Sequence, residues 1–213
     1  MTATNQTTNP RFLKRYQWRL LLIGALIVVA GALVWRYYDS RYPSWYEEVR
    51  LSDGRIITIH QKREYFENYG TSQSWVTIDL PELGGKRVWH SYLMPQRVDV
   101  VDGKVYVFGI PRGAKQLEYY RFPKNYMVAL LWNGNDFVRI PFLQVPSIAR
   151  LMENVFPCVP DLKKTKFYVD EKESKWCPAR GDKGELGKFL DLSVYTGLAD
   201  KWAATYNWTN RSE

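Results

Sequence analysis

The chain has 213 residues and a formal net charge of +8. Such a surplus suggests nucleic acid until it is located: residues 1–41 hold six Lys and Arg against one acid, and the remainder holds 24 basic against 21 acidic residues. Most of the excess therefore belongs to the N-terminal segment, where it serves membrane topology and attraction to anionic lipid, and no nucleic-acid partner is expected.

In chain order, residues 1–15 read as a disordered basic tail, opening on Thr, Asn and Gln without an apolar pattern. Leu20 through Trp35 then give sixteen residues with no charge. At about 1.5 Å per residue that run spans roughly 24 Å, short of a hydrocarbon core of about 30 Å. The flanks make up the difference. Tyr16 and Trp18 on one side, and Trp35, Tyr37 and Tyr38 on the other, are suited to the headgroup level, and Arg19 and Arg36 have stems long enough to snorkel. The expectation is one transmembrane helix over residues 16–38, with the bilayer as its partner.

A buried core helix is disfavoured because the run is apolar on every face. The rival reading is a cleaved signal peptide, since Ala30-Gly31-Ala32 resembles a small-x-small site; Leu33, Val34 and Trp35, however, continue the run beyond it. Gly24 and Gly31, with Ala25 and Ala32, share a face on which two anchors could meet, although small residues are common in membrane spans. Arg11, Lys14, Arg15 and Arg19 precede the run and Arg36, Arg41 and Arg50 follow it, so the flanking bias is slight. A short cytoplasmic tail and a large periplasmic domain, in a bacterial inner membrane, is the better orientation.

Residues 39–44 read as a connector and residues 45–213 as one β-rich domain, long enough to bury a core. Glu47–Leu51 and Ile56–His60 flank Ser52-Asp53-Gly54-Arg55, a hairpin signal because Asp-Gly tolerates the positive φ of a tight turn. Val76, Ile78 and Leu80 alternate with Trp75, Thr77 and Asp79, a half-buried strand. A turn over Pro81–Lys86 leads to a second alternating run, Arg87–Leu93. Val98–Val101 and Lys104–Ile110 flank Asp102-Gly103, and Tyr126–Trp132 and Phe137–Ile140 flank Asn133-Gly134-Asn135-Asp136. Repeated turn signals of one type predict a mainly β fold with minor α, an antiparallel meander or sandwich.

After Pro146 the period changes. Ile148, Leu151, Met152 and Val155 predict a short amphipathic helix over Pro146–Phe156. Phe167–Val169 reads as a last strand, Asp170–Lys188 as a charged loop, and Gly197–Tyr206 as a second C-terminal helix with Leu198, Trp202 and Tyr206 on one face. Cys158 and Cys177 are expected to pair if the domain meets an oxidising compartment, which in the chain-entropy model stabilises by about 3 kcal/mol; two unpaired thiols are the alternative in a reducing one.

Motifs for chemistry are missing. Neither Gly-x-Ser-x-Gly nor Ser-x-x-Lys occurs, and there is no His-Glu-x-x-His or phosphate loop. His60 and His90 lie in separate strand-like runs without zinc spacing or a nucleophile nearby in sequence. Glu47 and Glu48 are adjacent in a strand, so they point to opposite faces. Lys163, Lys164 and Lys166 read as a solvated face rather than a phosphate site. Arg180-Gly181-Asp182 carries too little information to count as an adhesion motif, and the glycosylation patterns at Asn207 and Asn210 matter only in a source that glycosylates exported chains. No catalytic residue, metal or cofactor is expected. Nine Trp and fifteen Tyr are many for this length; a core and membrane belt account for them better than a sugar-stacking surface does.

Two stretches resemble a known group. Trp45-Tyr46-Glu47-Glu48-Val49-Arg50-Leu51-Ser52-Asp53-Gly54-Arg55 is similar to an opening segment of uncharacterised proteobacterial envelope proteins, in which Trp-x-Glu-Glu-Val-x-Leu-x-Asp-Gly follows a membrane or export segment. Ala129-Leu130-Leu131-Trp132-Asn133-Gly134 through Arg139-Ile140-Pro141 resembles their later hairpin. The resemblance covers about a third of the domain and implies an envelope location but no activity. The functional expectation is a membrane-anchored, periplasmic, non-enzymatic module that binds an envelope protein or glycan. The alternatives are an envelope-polymer hydrolase with an unrecognised site and a structural subunit of a larger membrane complex.

Overall fold

A computed structural model describes residues 10–66, 70–123, 126–150, 153–156, 159–160 and 163–174, together with Asp200 and Ala204. The chain divides into two compact units, Met1–Arg41 and Tyr42–Glu213.

The first unit is helix α1, Pro10–Arg41. Its segment Trp18–Arg41 is long and apolar enough to cross a membrane: 24 residues, or about 36 Å of helix. Its large apolar side chains from Leu20 to Val34 are all exposed. The helix starts inside the stretch expected to be a disordered tail, with Pro10 in the first turn, where a missing N–H costs nothing. It also runs to Arg41, so only Tyr42 and Pro43 separate it from the first strand.

The second unit is built on nine strands: β1 (Ser44–Arg50), β2 (Ile56–Phe66), β3 (Gly70–Leu80), β4 (Gly85–Ser91), β5 (Met94–Val101), β6 (Lys104–Ile110), β7 (Val128–Trp132), β8 (Phe137–Ile140) and β9 (Lys166–Phe167). Two short helices, α2 (Ala114–Tyr119) and α3 (Val169–Ser174), complete it. One sheet has the order β4-β3-β2-β1-β9 and the other β5-β6-β7-β8. Consecutive strands within each sheet are antiparallel, while β9 joins β1 in parallel, which makes the first sheet mixed.

Each predicted hairpin forms where its turn chemistry stands. The β1–β2 turn closes with Leu51 N–H donating to Arg55 O at 2.8 Å, and Asp53 Oδ1 accepts from Arg55 N–H at 2.9 Å. Asp102 and Gly103 both take positive φ, 50° and 71°, the requirement of a two-residue turn matched to strand twist. At the β7–β8 turn, Asn133 Oδ1 accepts from Asn135 and Asp136 N–H at 3.0 and 2.9 Å.

The two sheets pack face to face. Val49, Ile59, Val76, Ile78 and Trp89 from the first meet Val98, Val100, Val105, Val107, Val128 and Leu130 from the second in one apolar cluster. The second sheet is covered on its other face too, where Phe108 and Ala129 pack under Phe142, Val145 and Ala149. That explains the near-continuous apolar strand Val105–Ile110, whereas β1, β3 and β4 alternate because one face of their sheet meets solvent.

In the β unit, four further expectations need correction. The segment predicted as a helix over Pro146–Phe156 is a 3-10 turn, Ser147–Arg150, followed by irregular chain at residues 153–156. Its backbone is claimed elsewhere: Asn154 and Val155 N–H donate to Gln96 O at 3.1 and 3.3 Å, and Phe156 N–H donates to the Glu47 carboxylate at 3.1 Å. The last strand stops at Phe167, and Val169 opens α3 instead. Residues 170–174, expected as loop, belong to that helix. Tyr126 is outside β7, with φ of 53°. Cys158 and Cys177 lie outside the described residues, as do residues 180–182, Asn207 and Asn210; of the helix predicted over 197–206 only Asp200 and Ala204 are described, both helical.

Candidate functional site

The inner face of the first sheet is half apolar and half polar. In β1, Trp45, Glu47 and Val49 share the inward parity; in β2, Ile59, Gln61 and Arg63 do. Glu47, Gln61, Arg63 and the facing Ser74 are fully buried. Gln61 Nε2 donates to Glu47 Oε1, and Arg63 Nη2 donates to Gln61 Oε1. Arg63 also donates to Ser74 Oγ at 2.6 Å and to Phe156 O at 2.9 Å, with its guanidinium over the Trp45 ring. Burial pulls the Arg63 guanidinium down to about 9, against the attraction of Glu47.

Lys172, from α3, closes this network. Its ammonium lies 2.7 Å from Glu47 Oε2 and donates to Glu48 O at 2.9 Å and to Asn154 O at 2.5 Å. An ammonium has three N–H donors, and all are engaged. The group is a latch that ties α3 and residues 154–156 to β1. Glu48 faces the other way, as the strand period requires, and pairs with Lys166 at 3.4 Å. Lys164 pairs with Glu171 at 2.6 Å, so Lys164 and Lys166 are both matched by acids.

A second polar group pins the sheets together. Asp99 is fully buried, pairs with Arg97, and accepts from the backbone and hydroxyl of Ser52 at 3.0 Å each. Asn154 accepts from Val98 N–H at 2.9 Å and donates to Val98 O at 2.7 Å and to Arg50 O at 2.9 Å. One side chain thereby bridges β5 of one sheet and β1 of the other.

The open surface is the outer face of the first sheet, and both histidines of the chain stand on it. Cross-strand pairing sets Ser44, Lys62, Trp75 and His90 in one row, and Tyr46, His60, Thr77 and Val88 in the next. His90 stacks on Trp75 with ring centroids 4.7 Å apart and planes at 4°. Lys62 lies 5.3 Å from the centroid of Trp75 and 5.0 Å from that of Tyr42. His90 Nε2 is 2.7 Å from Gln73 Oε1, an acceptor, so that nitrogen carries the proton. Gln73 donates onward to Glu64 Oε2 at 2.9 Å, and Glu64 Oε1 accepts from the Tyr42 hydroxyl at 3.4 Å. In the second row Tyr46 and His60 lie 4.7 Å apart. Burial pushes the His60 imidazole below its ordinary value, and Lys86 and Lys62 push it further, so the local field is positive.

This arrangement bears on sugar stacking at Trp75 alone. Trp75 has His90 against one face and Lys62 near the ring, so stacking a sugar there would first displace them. Trp45 and Trp89 are buried. Among the described residues, Trp18 and Trp35 stand exposed on α1, as do Tyr16, Tyr37 and Tyr38.

The parity of the inward polar residues was legible: Glu47 sits two from Trp45 and two from Val49, and a carboxylate on a core face needs a cation. Which cation was not, because Lys172 is 125 positions away. The partners of the histidines were likewise hidden in the register. Among the described residues, no group of three or more His, Cys, Asp or Glu is placed to hold a metal ion. No protein-family model matches the chain, and no curated protein or solved structure matches it.

Proposed function

We propose that this chain is a single-pass protein of the bacterial inner membrane, N-terminus in the cytoplasm, whose β unit stands in the periplasm and works as a non-enzymatic binding module for an envelope component. The observation that carries the reading is the pairing of an apolar helix of spanning length with a sandwich that leaves one sheet face open. That face offers Tyr46, His60, Thr77 and Val88, a mix of ring edges, hydroxyl and methyl groups suited to contact. The buried polar groups support binding over catalysis, since Glu47 and Lys172 spend their bonds on holding the fold.

A C-terminal fusion to an enzyme active only outside the cytoplasm tests the topology, and thiol labelling of Cys158 and Cys177 before and after reduction tests the compartment. An active fusion with thiols that label only after reduction is expected. An inactive fusion with freely labelled thiols overturns the orientation and the disulfide together.

A further inference from the structure

The outer face of the first sheet has two chemically different ends. Its Ser44 end carries the row Lys62, Trp75 and His90, flanked by Tyr42. Its other end carries the turns with Asp53 and Glu82, both paired with Arg55, and Asp79 in β3. Among the described residues of this face, Asp53, Asp79 and Glu82 thus lie away from Ser44, and the basic aromatic row lies beside it. Glu64, on β2 beside that row, is buried and engaged by Gln73 and Tyr42.

Ser44 is also where the chain arrives from α1. Tyr42 and Pro43 alone intervene, a tether that reaches about 10 Å at full extension. Tyr, Trp and His combine an apolar body with a polar edge, and Lys adds a snorkelling cation; these are the residue types that settle at the headgroup level. Trp75 is half-buried, with His90 stacked on its ring and Lys62 5.3 Å from its centroid. β2 and β3 run on past Ser44, whose partner is Lys62, to Phe66 and Gly70, and Tyr65 stands on that extension.

We infer that the row Tyr42, Lys62, Trp75 and His90 is a membrane-interface contact that rests among anionic lipid headgroups. The inference rests on the reading of α1 as a membrane anchor. A basic aromatic row whose Ser44 end is tethered to a spanning helix through two residues meets headgroups at high effective concentration, so weak contacts suffice. The second row, Tyr46 to Val88, is left for the envelope partner.

The test uses the full chain in nanodiscs of phosphatidylethanolamine and phosphatidylglycerol, with a photoreactive phenylalanine derivative placed in turn at Leu26, Lys86 and His90. Lipid adducts are expected from 26 and 90, and few from 86. Lys62→Gln lowers the yield at 90 by about fivefold, the worth of one basic side chain near an anionic surface. Equal low yields at 90 and 86, with 26 labelled, overturn the contact while leaving the anchor in place. No adduct at 26 overturns the anchor and the contact with it. In native membranes, a protein adduct at 90 in place of lipid overturns the lipid assignment.

Discussion

The Lys172 ammonium lies 2.7 Å from the Glu47 carboxylate, whose side chain is fully buried while that of Lys172 is 11% exposed. This asymmetry fixes which partner the fold can least spare. Without Lys172, Glu47 loses its directly bonded cation and keeps only the Arg63 guanidinium beyond Gln61; without the Glu47 charge, Lys172 still has two carbonyls and a path to water. Lys172→Met should destabilise by about 3–5 kcal/mol, as for a broken buried pair. Glu47→Gln should cost about 1–2 kcal/mol. Urea denaturation of both variants checks the order, and equal costs would refute the latch.

Asn154 joins the two sheets through three side-chain hydrogen bonds. Asn154→Ala should cost about 2–3 kcal/mol, since each bond contributes roughly 0.5–1.5 kcal/mol net. Asn154→Asp should be no better, because a carboxylate has no donor for Arg50 O or Val98 O. The denaturation midpoint measures both; a near-neutral Asp variant would contradict the assigned bonds.

Gly109 in β6 lies against the chain between the sheets: a Cβ there would meet Leu93 Cβ at 2.8 Å and Met94 O at 3.1 Å. Both are fixed close to the backbone, so Gly109→Ala should destabilise by about 1–3 kcal/mol through overpacking. Adding Leu93→Ala should give no rescue, because the offending Cβ remains. Recovery of stability in the double variant would show that the Leu93 tip, not its root, sets the limit.

His60 gives a pH dependence of definite sign. Its ordinary value is 6.5, and in the folded chain burial, Lys86 and Lys62 lower it. Below 6.5 the unfolded chain therefore binds the proton more readily, and stability falls as pH drops through that value towards the folded one. Of the acids on the same outer face, Glu48 pairs with Lys166 and Glu64 is engaged by Gln73 and Tyr42. At a half-exposed site the loss is a few tenths of a kcal/mol after screening. His60→Gln should remove that slope between pH 7 and 5 in thermal melts, and an unchanged slope would assign it to other groups.

Much of the β unit is readable from local chemistry. Asp53-Gly54, Asp102-Gly103 and Asn133-Gly134 mark turns because few residues accept positive φ, and each sits between paired strands. The period-two alternation of Val76, Ile78 and Leu80 names the buried face of β3 before any neighbour is known. The same pattern logic fails at Ile148 to Val155. Helical spacing is satisfied there, but Gln96 and Glu47 offer the backbone of residues 154–156 better-placed partners than a helix would.

The sequence by itself determined the apolar segment of spanning length, the place of the hairpins and the parity of each strand, because these depend on residue type, φ and a period of two. The tertiary structure decided the register and the partners. Only the sheet pairing stacks His90 on Trp75, only the first sheet on one side and the segment Phe142–Ala149 on the other bury both faces of β6, and only the fold's closure brings Lys172 to Glu47. Local rules say that a carboxylate on the core face needs a cation; which one answers depends on residues distant in the chain and is settled when the sandwich packs.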